Sequence, residues 1–260
     1  MLRLMWQALE DGEATIRSKL IGIYAVLIAA NLFAWLWALV AFRAHPVLLG
    51  TALLAYSFGA RHAADADHIA AIDNVTRKLM QQGQRPVGVG FFFSLGHSSV
   101  VALATGAIAG AAAALETRLA GWKELGAILG TSDSAAFLFL IALNNLVILV
   151  QVYRIFRHVK RGGRYVEEDL DFFLARRGLV GRIFRPLFRF IGASWQMYPL
   201  GFLFGLGFET ATEVGLMGIS AAEASNGLSL WSIMVFPALF TAGMSLIDTT
   251  DGVLMLGAYG

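Results

Sequence analysis

The sequence predicts an all-α integral membrane protein with about six transmembrane helices. Three observations carry that expectation. Hydrophobic residues make up 57% of the 260-residue chain and charged residues only 15%, whereas soluble domains run at about 45–50% and about 25%. Mean hydropathy is +0.66. Several apolar runs exceed the roughly 20 residues that a helix needs to cross a bilayer. Finally, the basic residues alternate between loops, as they do in polytopic membrane proteins.

Six spans follow, at about 20–41, 47–73, 86–115, 126–153, 197–220 and 230–257. The first 19 residues are mixed polar (Glu10, Asp11, Glu13, Arg17, Lys19), and the run after them is long enough to span, so no cleavable signal peptide is expected. Lys and Arg number three before span one, three between spans two and three, and ten from Arg154 to Arg189. The alternate loops hold one, two and none, so the balance is sixteen against three, with Arg61 assigned to a span. The positive-inside rule then places the N-terminus in the cytoplasm. The same asymmetry accounts for the pI near 9.0 without any nucleic-acid role. There are no cysteines, which excludes disulfides, thiolate metal sites and thiol redox chemistry.

The chain reads as one transmembrane domain, 1–260, with a basic cytoplasmic loop at 157–194 between spans four and five. That loop is amphipathic in places (RIFRPLFRFIG) and suits an interfacial position beside anionic lipid. GxxxG spacing occurs at Gly106/Gly110, Gly126/Gly130 and Gly201/Gly205, where small residues let helices approach closely.

Polar groups recur inside the spans, although a charge at mid-bilayer costs about 2.5–3.5 kcal/mol on insertion scales. Span two ends in RHAADADHIAAID, residues 61–73, with His62, Asp65, Asp67, His68 and Asp73. Span three carries FSLGHSSVV with His97. Span five carries LGFETATEVG with Glu209, Thr210, Thr212 and Glu213. Span six carries GMSLIDTTDG with Asp248 and Asp251. Asn31 lies in span one, and Asn144 and Asn145 in span four. On an unbroken helix His62 and His68 would stand about 9 Å apart along the axis, and Asp67 would point away from both. Either the helix unwinds here, with Gly59 nearby, or these residues serve different partners. Imidazole with carboxylate and no sulfur suits Ni²⁺, Co²⁺, Zn²⁺ or Fe²⁺. A structural polar network, with Arg61 pairing with Asp65, is the plainer alternative. Histidines and carboxylates on four helices favour a transmembrane cation path.

These motifs resemble those of the nickel/cobalt transporter family. RHAADADHI is similar to the family's second-span signature, a His, four residues, then Asp-His: here His62, Asp67 and His68. FSLGHSSVV, LGFETATE and GMSLIDTTDG resemble the other signatures, in order, so the likeness runs from about residue 20 to the end. It implies a single-component secondary permease that takes up Ni²⁺ and/or Co²⁺ across the bacterial cytoplasmic membrane. No resident cofactor and no enzymatic activity are implied, and the metal is cargo. In three respects the chain departs from the family pattern. Ala64 replaces the usual Val or Phe, Glu209 replaces the usual Asp, and six spans stand where the family usually has eight, so two C-terminal helices would be missing. The resemblance leaves metal preference, energy coupling and oligomeric state open.

No GxxxxGK[ST] loop appears, so no ATPase is fused to the chain and no ATPase subunit is expected as a partner. A permease for another divalent ion (Zn²⁺ or Mn²⁺) is the nearest alternative. A membrane metalloenzyme is more remote, since HExxH is absent and the five histidines fall short of a desaturase-type set. In the leading reading metal meets His62, Asp67, His68 and His97. Asp65 orients the imidazoles from behind. Asn31, Glu209, Thr210, Glu213, Met244, Asp248 and Asp251 complete the path or balance charge. Proton exchange on these groups would help release the ion.

The two halves also resemble one another. Phe58-Gly59 matches Phe204-Gly205 at an offset of 146, which sets Asp67 opposite Glu213. Phe93 to Ser98 matches Phe240 to Ser245 at an offset of 147, and Asn31-Leu32 matches Asn145-Leu146. Three spans followed by three similar ones have opposite orientation, the inverted-repeat plan of many transporters. It would make His97 and Met244 equivalent, with spans three and six in contact.

Overall fold

The structure is a computed structural model that describes residues 16–118, 191–207 and 210–259, together with a few isolated positions between 146 and 161; side chains at 112–118 and 259 are excepted. Most of the expected span four, with Asn144, Asn145, Gly126 and Gly130, lies outside the described residues. So do most of the 157–194 loop and Glu209.

All the described regular structure is helical. The elements are α1 (Ile16–Ala41), α2 (Val47–Ala63), α3 (Ala66–Gln81), α4 (Val89–Arg118), α5 (Met197–Gly205), α6 (Ala211–Ser225), α7 (Leu230–Ile233) and α8 (Val235–Tyr259). Among the described residues three stretches are long and apolar enough to cross a membrane: Ile16–Ala41, Val89–Ala111 and Leu230–Ala258. They correspond to the expected spans one, three and six. On α1, residues Ile21, Ile28, Leu32, Phe33 and Leu36 are each more than half exposed, as suits a helix bathed in hydrocarbon.

Spans two and five are each broken in the middle: for span two this is the unwinding that the His62 and His68 spacing left open, and for span five it departs from the expected single helix. After α2 the chain turns at Ala64 (φ −81°, ψ 7°), and Asp65 is extended (φ −76°, ψ 147°). The Asp65 carboxylate accepts the Ala66 N–H at 3.0 Å and caps α3. Thr210 does the same for α6, extended at φ −112° and ψ 143°, its hydroxyl accepting the Glu213 N–H. Asp and Thr are favoured in this position because their side-chain oxygens satisfy N–H groups that have no partner in the first turn. Asp65→Ala is therefore expected to cost about 1 kcal/mol, read as a lower unfolding midpoint of purified protein.

α2 packs along α8, α5 along α4, and α4 along α8. The contacts are close because glycines face backbone. A Cβ on Gly59 would meet the Phe240 carbonyl, and one on Gly201 would meet the Phe93 carbonyl. A Cβ on Gly243 would meet the Tyr56 carbonyl and Ala60 N, and one on Gly96 would meet the Tyr198 carbonyl and Phe202 N. The same packing thus occurs twice, with offsets of 142 between α2 and α5 and 147 between α4 and α8. The 147 offset and the contact between spans three and six are as expected from sequence. The pairing of Gly59 with Gly205 is one helical turn out, and packing pairs Gly59 with Gly201. Counting from the two N-caps, Glu213 is matched by His68 rather than Asp67. Of the described GxxxG pairs, Gly201/Gly205 lies against α4, whereas Gly110 meets none of the described residues.

Two apolar clusters flank the breaks. One gathers Phe42, Leu216, Phe236, Leu239, Phe240 and Met244. The other gathers Ile72, Leu79, Phe93, Met197 and Leu200. Asn31 clips α1 to α8 by donating to the Leu27 and Ala242 carbonyls at 2.9 and 3.3 Å.

Candidate metal centre

The break between α2 and α3 brings together what a straight helix would hold apart. His62 ends α2, and His68 stands in the first turn of α3. Their ring centroids are 4.5 Å apart. His97 arrives from the middle of α4, at 4.8 and 4.9 Å from those two rings. All three are nearly fully buried. One nitrogen from each imidazole lies within 4.8 Å of the others, a spacing that could hold one ion.

A carboxylate completes the cluster. Glu213, from the first turn of α6, places Oε1 2.9 Å from His97 Nε2 and 3.9 Å from His62 Nε2. It is 1% exposed, and a buried charge persists only when paired and hydrogen-bonded.

The hydrogen-bond network assigns the ring protons. Thr210 donates its hydroxyl proton to Glu213 Oε2 at 2.9 Å. Its oxygen then accepts from His62 Nδ1–H at 3.0 Å, with Thr212 Oγ1 also near, at 3.3 Å. His62 Nε2 is left with its lone pair toward His97. His68 Nδ1 donates to Asp248, 3.2 Å from each oxygen, and His68 Nε2 is buried with no hydrogen-bond partner among the described residues. His97 Nε2–H lies between His62 Nε2 and Glu213 Oε1, 2.9 Å from each. A neutral imidazole that donates through one nitrogen offers the other as a metal ligand. With their Nδ1 atoms donating, His62 and His68 each keep Nε2 free of a proton.

The remaining sequence-derived residues separate into different places. Asp67 is half-buried, its carboxylate accepts the His68 N–H at 3.0 Å, and it is not in the convergent set. Asp65 was expected to orient the imidazoles. Its carboxylate caps α3, and the hydrogen bonds to the His62 and His68 rings come from Thr210 and Asp248. Asn31 is occupied between α1 and α8. Met244 is fully buried in the apolar cluster around Phe240. Asp251 is half-buried one turn beyond Asp248, its Oδ2 without a hydrogen-bond partner among the described residues. Sequence reasoning did not single out two further neighbours. Phe93 packs edge-on to His68 at 4.9 Å, and Phe240 lies 5.5 Å from His62. The signal was there, since both head the matched segments at the 147 offset.

Residues 48–260 match the family described as high-affinity nickel-transport protein. A high-affinity nickel transport protein of Cupriavidus necator is 66% identical over 243 residues, 94% of this chain and 69% of the relative. The chain belongs to this nickel-transport family. Another relative, the nickel transporter NicT of Mycobacterium tuberculosis, is 45% identical over 251 residues, 92% of this chain and 67% of its own length. The cobalt transport protein NhlF of Rhodococcus rhodochrous is 45% identical over 215 residues, 82% of this chain and 61% of its own. The chain thus spans 61 to 69% of the length of these nickel- and cobalt-transport relatives. No solved structure matches it. Family membership and three apolar helices together make this a multi-pass membrane protein.

Proposed function

We propose that this chain takes up Ni²⁺ and/or Co²⁺ across the bacterial cytoplasmic membrane as a single-component secondary permease, with its N-terminus in the cytoplasm. One observation carries the reading: three buried imidazoles and one buried carboxylate converge where two interrupted helices meet two continuous ones. Interrupted helices around a central site are a recurrent transporter device. Three nitrogens and an oxygen, with no sulfur, suit late divalent first-row ions. The names of the relatives favour nickel and cobalt among them. The cargo is held by His62, His68 and His97, with Glu213 balancing its charge. Since ligation requires a neutral, lone-pair nitrogen, the proton on His97 Nε2 gives way to the ion; His97 Nδ1, buried with no hydrogen-bond partner among the described residues, carries it in the other tautomer, which leaves the Glu213 carboxylate charged. Asp67 and Asp73 on α3 and Asp251 on α8, all half-buried, are charges along the approach.

The test is ⁶³Ni²⁺ uptake at nanomolar metal by cells expressing the chain, beside His62→Ala and empty cells. Uptake that His62→Ala loses at equal membrane level, and that Co²⁺ suppresses more strongly than Zn²⁺ or Mn²⁺, is expected. Suppression by Zn²⁺ or Mn²⁺ at lower concentration than Co²⁺ would shift the cargo to those ions. Equal accumulation in all three cell lines would sink the proposal.

Thr210 gives a finer check. Partners that orient a metal-binding histidine are worth 10–100-fold in affinity or activity, as an order of magnitude. Thr210→Val is expected to raise the KM for Ni²⁺ by about tenfold or more. Thr210→Ser, which keeps the hydroxyl, is expected to restore it, and a Ser variant as impaired as Val would remove the hydroxyl from the account.

A further inference from the structure

Phe93 and Phe240 hold equivalent places in the repeated packing, and each does two things there. The backbone of Phe240 is what Gly59 of α2 presses on, and the backbone of Phe93 is what Gly201 of α5 presses on. The ring of Phe240 lies 5.5 Å from His62, tilted at 42°. The ring of Phe93 lies 4.9 Å from His68, at 84°. Both residues are fully buried. Each therefore joins a helix–helix contact, through its main chain, to the metal centre, through its side chain: Phe240 at His62, and Phe93 at His68 and, at 6.4 Å, at His97.

We propose that Phe93 and Phe240 are positioning residues that hold the His68 and His62 rings in ligating orientation and couple that orientation to the docking of α5 on α4 and α2 on α8; the two positions are equivalent but their ring contacts are not, since Phe204 of α5, 5.3 Å from Phe93, stands where His62 stands on α2. An imidazole turns about two side-chain bonds. A hydrogen bond at Nδ1 fixes one end of the ring, Thr210 for His62 and Asp248 for His68, but leaves it free to swing about that end. A packed aromatic face or edge closes the second direction. The two clamps act on different ligands of one ion, so loosening either weakens the same site. The arrangement also makes the site sensitive to helix position: where α2 parts from α8, or α5 from α4, the Phe backbone shifts and its ring leaves the imidazole.

This inference rests on the proposed metal centre, and the experiment separates the two. Phe93→Leu and Phe240→Leu are compared with Phe236→Leu in Ni²⁺ uptake, with His97→Ala alongside. Phe236 is the control because it lies on α8, is as buried as Phe240, and stacks on Phe42 at 5.4 Å rather than on an imidazole. An aromatic pair is worth enough to shift affinity by about three- to tenfold. Phe93→Leu and Phe240→Leu are each expected to raise KM by about that factor, with maximal rate per transporter little changed. Phe236→Leu is expected to keep the wild-type KM, whatever it does to the protein level. Where level falls too far for uptake to be read, purified protein supplies the same comparison through the Ni²⁺ concentration giving half-maximal rise in unfolding temperature. Wild-type values in both Phe93→Leu and Phe240→Leu, with His97→Ala inactive, would overturn the clamp and leave the metal centre standing. Wild-type uptake in His97→Ala would overturn the metal centre itself.

Discussion

His97→Ala is expected to reduce Ni²⁺ uptake to the level of empty cells, a fall of at least about 100-fold, beyond what loss of an orienting partner causes. His97 Nε2 is the atom on which the site converges, 2.9 Å from His62 Nε2 and 2.9 Å from Glu213 Oε1. Removing the imidazole takes away one of three nitrogens. It also leaves Glu213 with Thr210 as its remaining close donor in a nearly solvent-free position, where a stranded carboxylate is costly. Two consequences follow that can be told apart. Loss of the ligand removes the Ni²⁺-induced rise in unfolding temperature of purified protein, whereas the stranded charge lowers that temperature with no metal present. The double variant His97→Ala/Glu213→Gln is expected to recover stability and not uptake. Uptake by His97→Ala within about tenfold of the parent, per transporter, would exclude His97 as a ligand.

Which helices bring polar side chains together was legible in the sequence because charge in an apolar run has few explanations. His62, His68, His97, Glu213 and Asp248 all lie in stretches that stood out for that reason, and all converge. Their division of labour was not legible. Asp65 and Asp67 sit in the same motif as the two histidines; helix geometry pointed Asp67 away from them, and the family resemblance grouped it with them. Both instead engage the N–H groups that the helix break exposes, Asp65 at Ala66 and Asp67 at His68. The partners that hold the imidazoles come from α6 and α8, some 148 and 180 residues away along the chain. Helical periodicity is blind to such pairings. The same periodicity pointed to the break, since on an intact helix two histidines six residues apart cannot share an ion, but it could not show that the α5–α6 stretch breaks in the same manner. Aligning the halves by the Phe-Gly dipeptide put α5 one turn out of register, because Gly201 and Gly205 have similar neighbours and only packing distinguishes them.

Gly59→Ala and Gly201→Ala are expected to have the second-largest effect, a loss of folded protein or of metal affinity of similar size at both positions. In an ordinary helix the change is favourable by up to about 1 kcal/mol, because alanine loses less backbone entropy and has the better propensity. Gly50, on the same helix as Gly59, shows that case, with nothing within 4 Å of an added Cβ. At Gly59 the added carbon would fall on the Phe240 carbonyl, and at Gly201 on that of Phe93. Main chain cannot rotate aside as a side chain can, so the helices must separate, and overpacking of this kind costs about 1–3 kcal/mol or more. His62 lies one turn beyond Gly59 on α2, so the displacement carries the ligand with it. The readouts are protein level and unfolding temperature, then Ni²⁺ affinity of whatever folds, with Gly50→Ala as reference. Similar losses at Gly59 and Gly201 would mean that the two glycine contacts are one packing solution used twice. A loss at Gly59 with tolerance at Gly201 would mean that only α2 is bound tightly to its neighbour and that α5 yields. Should Gly59→Ala match Gly50→Ala, close helix approach would not be what sets His62 in place, and the ring of Phe240 would have to hold it without help from the backbone.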